Sequence, residues 1–182
     1  MPLKLGTNGI ALPYSKAYLG SNLVYQSEQK HTDNPIPTTW SINDYDDYYN
    51  GDYRITASSY YSSSYRLNLA FDNDTSTRWR SKSTSGDKWV KLELPEAIKV
   101  SKFKLYAYDN SSSDKVVVTI QGSNDNSNWD NIGTYTETTA LKEVELTSPN
   151  YYKYYRLWFE TRSSIYVAGV YEWQISEYYT KG

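Results

Sequence analysis

Leu69-Ala70-Phe71-Asp72-Asn73-Asp74-Thr75-Ser76-Thr77-Arg78-Trp79 is followed, after a polar interval, by Lys88-Trp89-Val90-Lys91-Leu92-Glu93-Leu94-Pro95. The first stretch packs carboxylates, an amide and hydroxyls into one short turn, and the second is a run of aromatic and branched side chains suited to a pleated strand. Similar runs recur at 53–57, 98–107, 115–121, 131–136, 141–146, 153–160 and 170–178, separated by Ser, Asn, Asp and Gly clusters. Short strands at this spacing predict an antiparallel β-sandwich, so the chain reads as all-β. Lys102-Phe103-Lys104-Leu105-Tyr106 and Lys142-Glu143-Val144-Glu145-Leu146 alternate as strands with one wet face do. No amphipathic helix longer than about two turns is legible. The expected core includes Trp79, Trp89, Val90, Leu92, Leu94, Phe103, Leu105, Val117, Ile120 and Leu157, with Trp129 packed inside as well.

The chain has 182 residues, 19 Lys plus Arg against 21 Asp plus Glu, and a formal charge of −2. That length predicts one domain with an appendage, and that charge announces no nucleic-acid partner. Of the aromatic residues 21 are Tyr, 6 Trp and 3 Phe, so most rings carry a hydroxyl that needs water or a partner, which suits binding surfaces. The absence of cysteine excludes disulfides, thiol catalysis and Cys-type zinc sites. His31 is the single histidine and reads as a solvated residue. No apolar run approaches the ~18 residues that span a bilayer, and no basic and then apolar leader opens the sequence, so neither membrane insertion nor a secretion signal is expected.

Three segments follow. In residues 1–26, Leu5-Gly6-Thr7-Asn8 is echoed by Leu19-Gly20-Ser21-Asn22, which predicts two small β-hairpins, since Gly and Asn tolerate the positive φ of tight turns. Such hairpins are marginal alone and should dock on a partner. Residues 27–39 carry two prolines and little apolar surface and read as an exposed linker. Residues 40–182 hold the sandwich.

Further motifs sharpen this assignment: Ser123-Asn124-Asp125-Asn126-Ser127-Asn128-Trp129, Tyr154-Tyr155-Arg156-Leu157 and Glu172-Trp173-Gln174-Ile175. With the two opening stretches, they resemble, in order over residues 53–178, the discoidin or coagulation factor type C domain family, which includes galactose-binding-like carbohydrate-binding modules. The resemblance implies a discoidin-like jelly roll. Asn73 and Asn126 stand where the family usually has a turn glycine; Asn is the residue that best tolerates the left-handed region, so both should have positive φ.

The Asp72–Thr77 turn offers the hard oxygen donors that Ca²⁺ takes. It is not an EF-hand, because Thr77 replaces the sixth-position Gly and Ser83 the twelfth-position Glu. In sugar-binding members this turn holds a structural metal, and the resemblance implies Ca²⁺ bound by the side chains of Asp72, Thr77 and Glu172 and the carbonyls of Leu69, Asp74 and Tyr171. The alternative is a metal-free turn held by Asx hydrogen bonds.

Sugar rings are held on aromatic planes while charged or amide groups fix their hydroxyls. Tyr60 and Tyr61, in the Tyr- and Ser-rich loop 58–65, are the expected platform. Arg80, standing where galactose-binding relatives often have His, Arg162 and Tyr166 are the expected partners. Catalysis is not expected: no nucleophile elbow, P-loop or dinucleotide fingerprint occurs, and no pair of acids is singled out. Residues 16–25 resemble short attachment segments of bacteriophage tail and decoration proteins. The chain therefore reads as a non-catalytic adhesion or decoration subunit of a phage virion. It would bind cell-surface glycan weakly and in many copies, be oligomeric in its assembly, and contact other virion proteins through residues 1–26. On this reading it is made in the host cytoplasm and reaches the virion; otherwise it is extracellular. Two alternatives stay open: a structural virion subunit that binds protein and no sugar, and an appended module of a secreted glycoside hydrolase.

Overall fold

A computed structural model describes residues 16–109, 117–136, 139–160 and 167–181. Strands β1 (Lys16–Leu19) and β2 (Asn22–Gln26) form a two-stranded sheet of their own around Gly20, whose φ of +64° is the turn the Leu-Gly-Ser-Asn motif calls for. The earlier hairpin read at Leu5–Ile10 lies outside the described residues.

The remaining strands are β3 (Glu28–His31), β4 (Ser41–Asp44), β5 (Asp47–Asn50), β6 (Tyr53–Ala57), β7 (Trp79–Arg80), β8 (Lys88–Asp109), β9 (Val117–Ser123), β10 (Asp130–Thr136), β11 (Lys142–Glu145), β12 (Tyr151–Phe159) and β13 (Ala168–Lys181). A 3-10 turn at Leu67–Ala70 interrupts them. All pairings are antiparallel, and β8 organises them. Its first part runs between β6 and β12, with Leu92 opposite both Ile55 and Tyr155; its second part runs between β11 and β13, with Phe103 opposite both Val144 and Ile175. Pro95, which has no N–H to donate, lies between the two parts, where β12 shifts register.

One strand thus serves two layers, and the core lies between them. Ile55, Val90, Leu92 and Leu157 face Phe103, Leu105, Trp173 and Ile175, all at most 1% exposed. Phe103 meets Tyr155 and Trp173 edge-on, with centroids 5.6 and 5.5 Å apart. The Tyr155 hydroxyl donates to the Ile98 carbonyl at 2.7 Å and accepts from the Val100 N–H at 3.2 Å, so a buried phenol ties down β8 just after its crossing.

Two core expectations are corrected by the two-residue period of a strand. Val118 and Ile120 point inward, which turns Val117 out to 46% exposure. Val90 and Leu92 likewise turn Trp89 onto the outer face, half-buried and directly opposite Trp158. Trp129 is also half-buried, under the Arg156 guanidinium at 4.0 Å. Asn73 and Asn126 have φ of 64° and 60°, as their turns require.

The linker region is less exposed than its composition suggests. Glu28–His31 pair with Tyr178–Lys181 of β13, His31 stacks on Tyr178 at 4.6 Å, and Ile36 is 4% exposed. The outer edge of β13 needs hydrogen bonds, and an extended polar segment supplies them whatever its hydropathy.

Candidate functional site

Trp79 anchors one end of the sandwich: it is fully buried and its indole N–H donates to the Ser59 carbonyl at 2.9 Å. Alternation then puts its neighbours Arg78 and Arg80 on the opposite, outer side. Backbone bonds from Tyr61 N to Arg80 O at 2.8 Å and from Arg80 N to Tyr65 O at 3.3 Å strap loop 58–65 along β7. The result is a chain of stacked rings and cations. The Arg80 guanidinium lies 4.7 Å from the centroids of both Tyr61 and Tyr65; that of Arg78 lies 5.2 Å from Tyr65, 5.6 Å from Tyr108 and 5.0 Å from Tyr171; Tyr171 stacks on Tyr106 at 4.2 Å. Tyr61 is 49% exposed and forms the outer end of this array.

Gly169 makes the array possible. It pairs with Arg80 on one side and Tyr108 on the other, and a Cβ there would lie 2.2 Å from the Tyr108 ring. The absent side chain lets Tyr108 lie across β13 toward the arginines. Burial pushes the Tyr108 hydroxyl above its usual range, against the nearby positive charge of Arg78 and Arg80.

A register shift between Val170 and Glu172 makes Tyr171 an extra residue on β13. A bulge of this kind re-aims consecutive side chains: Tyr171 joins the rings, and Glu172 turns into the Asp72–Thr77 turn, 1% exposed. There Thr77 Oγ1 donates to Asp72 Oδ2 at 2.8 Å and lies 3.1 Å from the Asp74 carbonyl and 3.4 Å from that of Leu69. One hydroxyl proton cannot serve three acceptors. Glu172 Oε2 is buried without a hydrogen-bond partner. Burial, then the Asp72 carboxylate, push the Glu172 carboxyl up to about 8, and burial also raises Asp72. Oxygen atoms short of donors, with two carboxylates that disfavour each other, fit a hard cation. Among the described residues no group of three or more His, Asp or Glu side chains converges, so a cation here would rely on Thr77 and on carbonyls as well.

Of the residues expected from the sequence, Asp72, Asp74, Thr77 and Leu69 come together around one hydroxyl, with Glu172 beside Asp72; Tyr171 is the residue before Glu172. Tyr61 and Arg80 are in direct contact. Tyr60 is half-buried against Tyr45, at 5.0 Å, and lies beside the array rather than in it. Arg162 and Tyr166 lie outside the described residues. Sequence reasoning did not single out Arg78, Tyr65, Tyr106, Tyr108 or the ring of Tyr171. The spacing Arg78-Trp79-Arg80 could have revealed the first, because a buried Trp places both neighbours on one side. The others depend on strand register, which local sequence does not display.

The F5/8 type C domain pattern matches residues 54–173, well over half of the chain. The chain belongs to that family. This F5/8 type C domain is similar in structure to chitosan-binding module 1 of a chitosanase/glucanase from Paenibacillus sp. IK-5, at 26% identity and a TM-score of 0.53, over 68% of this chain and 94% of that one. It is also similar to a pectin-binding carbohydrate-binding module, at 25% identity and 0.52, over 66% and 87%. A module of Clostridium perfringens solved with GalNAc-β-1,3-galactose shares the fold, at 18% identity and 0.54, over 69% and 95%. No curated protein matches the chain. The chain is thus an all-β F5/8 type C domain, and these similar structures are non-catalytic carbohydrate-binding modules.

Proposed function

We propose that this domain binds glycan at the end of the sandwich formed by loop 58–65, β7 and the start of β13. The observation that carries the reading is the continuous array Tyr61–Arg80–Tyr65–Arg78–Tyr171, which offers ring faces beside fixed N–H donors. A pyranose alternates apolar C–H patches with hydroxyl edges, and this alternation of planes and cations suits it. The chitosan- and pectin-binding names of two similar structures support a saccharide ligand. Tyr61 is the exposed platform and Arg80 orients the hydroxyls, while Tyr60 buttresses the loop through Tyr45. A calcium ion held by Asp72, Thr77, Glu172 and the nearby carbonyls would supply positive charge to a donor-poor turn and fix Tyr171 through its neighbour Glu172.

The setting proposed is a phage virion, with residues 1–26 attaching the domain to other virion proteins. Support comes from the Leu-Gly-(Thr/Ser)-Asn echo and from β1–β2, which make a sheet of their own rather than joining the large one. A single site of this size should bind weakly, so many copies would provide the avidity. A second reading, a module appended to a glycoside hydrolase, is favoured by the chitosanase/glucanase origin of a similar structure.

A glycan array probed with the whole chain, with calcium and then with chelator, tests the proposal. Binding that weakens with chelator is expected. No binding to any glycan would favour a protein-contacting structural subunit.

A further inference from the structure

Arg78 and Arg80 are both half-buried, and the Nε of each is buried without a hydrogen-bond partner. Among the described residues neither forms an ion pair, whereas Arg54 on the same molecule is held by both oxygens of Asp47 at 2.8 and 2.7 Å. Among the described residues the groups in contact with Arg78 and Arg80 are neutral: Tyr61, Tyr65, Tyr108 and Tyr171 supply ring faces, and an Arg78 Nη1–H donates to the Tyr171 hydroxyl at 3.3 Å. Ring faces favour a cation, yet beyond the tyrosine hydroxyls that Arg78 reaches they offer no acceptor to the Nε–H of either guanidinium. The guanidinium carbons of Arg78 and Arg80 lie 5.2 and 4.7 Å from the Tyr65 centroid, so the two charges are at most about 10 Å apart. Two partly desolvated cations at this range repel each other, and an anion set between them would offset that repulsion.

We infer that the ligand of this site is a carboxylate-bearing glycan whose acid group is taken by Arg78 and Arg80 while Tyr61 receives the ring. The inference rests on the glycan-binding reading above and narrows its ligand class. A carboxylate matches the planar guanidinium fork and gains from the low-dielectric surroundings the tyrosines create. A neutral sugar would satisfy single N–H groups and leave the paired charge in place.

Calorimetric titration of the whole chain tests this with three probes: a galacturonate oligomer, its methyl ester, and a sialylated oligosaccharide. The acid oligomer should bind at least about tenfold more tightly than its ester, with affinity falling as salt rises through the range in which an exposed pair is screened. Comparing the uronate with the sialylated probe separates the two carboxylate sources. Arg78→Gln and Arg80→Gln should each abolish the preference for acid over ester, and Arg80→Lys, which keeps the charge but not the fork, should restore only part of it. The salt dependence is read on the unaltered protein and stands even where a variant folds poorly. Equal binding of acid and ester, or a salt-independent affinity, would overturn the inference while leaving glycan binding intact. No binding by any probe would overturn both.

Discussion

At Asn126 the backbone enters the left-handed region, with φ at 60°, and the side-chain oxygen accepts from Lys91 Nζ at 3.0 Å. An alanine there keeps the strain and loses the bond, so Asn126→Ala should destabilise by about 1–2 kcal/mol. Asn126→Gly, which relieves the strain and loses only an exposed bond, should cost distinctly less; urea unfolding of both variants checks the order. Glu172 gives a sharper case, because its unpartnered Oε2 and the facing Asp72 make it a poor residue for a cation-free protein. Glu172→Gln should raise the melting temperature in chelator at neutral pH, since the amide keeps an acceptor for the Asn73 and Asp74 N–H groups and removes the cost of folding around a carboxyl pushed up to about 8. It should also remove the increment that calcium gives the unaltered protein. Melting curves with and without chelator decide both points, and a calcium increment that persists in the variant would reject the site.

The strands show where local pattern suffices and where it does not. Alternation and turn residues mark β6, β8, β10, β11 and β12 to within a few residues, because one wet face and one dry face leave a period-two record. Other features carry no such record. β3 is polar and becomes a strand only because the edge of β13 is open to it, and the continuity of β8 past Pro95 depends on pairing with β12 and β13. The acidic turn was legible as an oxygen-rich motif, whereas the ring array required the register that sets Gly169 between Arg80 and Tyr108 and the bulge that frees Tyr171. A comparison of two glycines within strands tests this view of β13. A Cβ at Gly169 would meet Tyr108 at 2.2 Å, and one at Gly122 would meet Tyr152, whose hydroxyl is tied to Asp130, at 2.3 Å. Gly169→Ala should displace Tyr108 and weaken glycan binding with little loss of stability. Gly122→Ala should cost about 1–3 kcal/mol and leave binding at the far site unchanged.

On the scale of the whole molecule, the fold divides its work. The buried rings of Phe103, Tyr155 and Trp173 hold the layers together without disulfides, and one end of the sandwich gathers the acidic turn and the tyrosine–arginine array side by side. The hairpin β1–β2 belongs to neither, so deleting residues 1–26 should leave the melting temperature within a few degrees of the full chain while abolishing incorporation into the proposed assembly. A truncated protein that still assembles would contradict the attachment role. The position of the glycan site is tested by titrating the ¹⁵N-labelled chain with the tightest glycan from an array and following the amide shifts. The signals expected to move are those of Tyr61, Tyr65, Arg78, Arg80 and Tyr171; shifts confined to other faces of the sandwich, with these five unmoved, would contradict a site there.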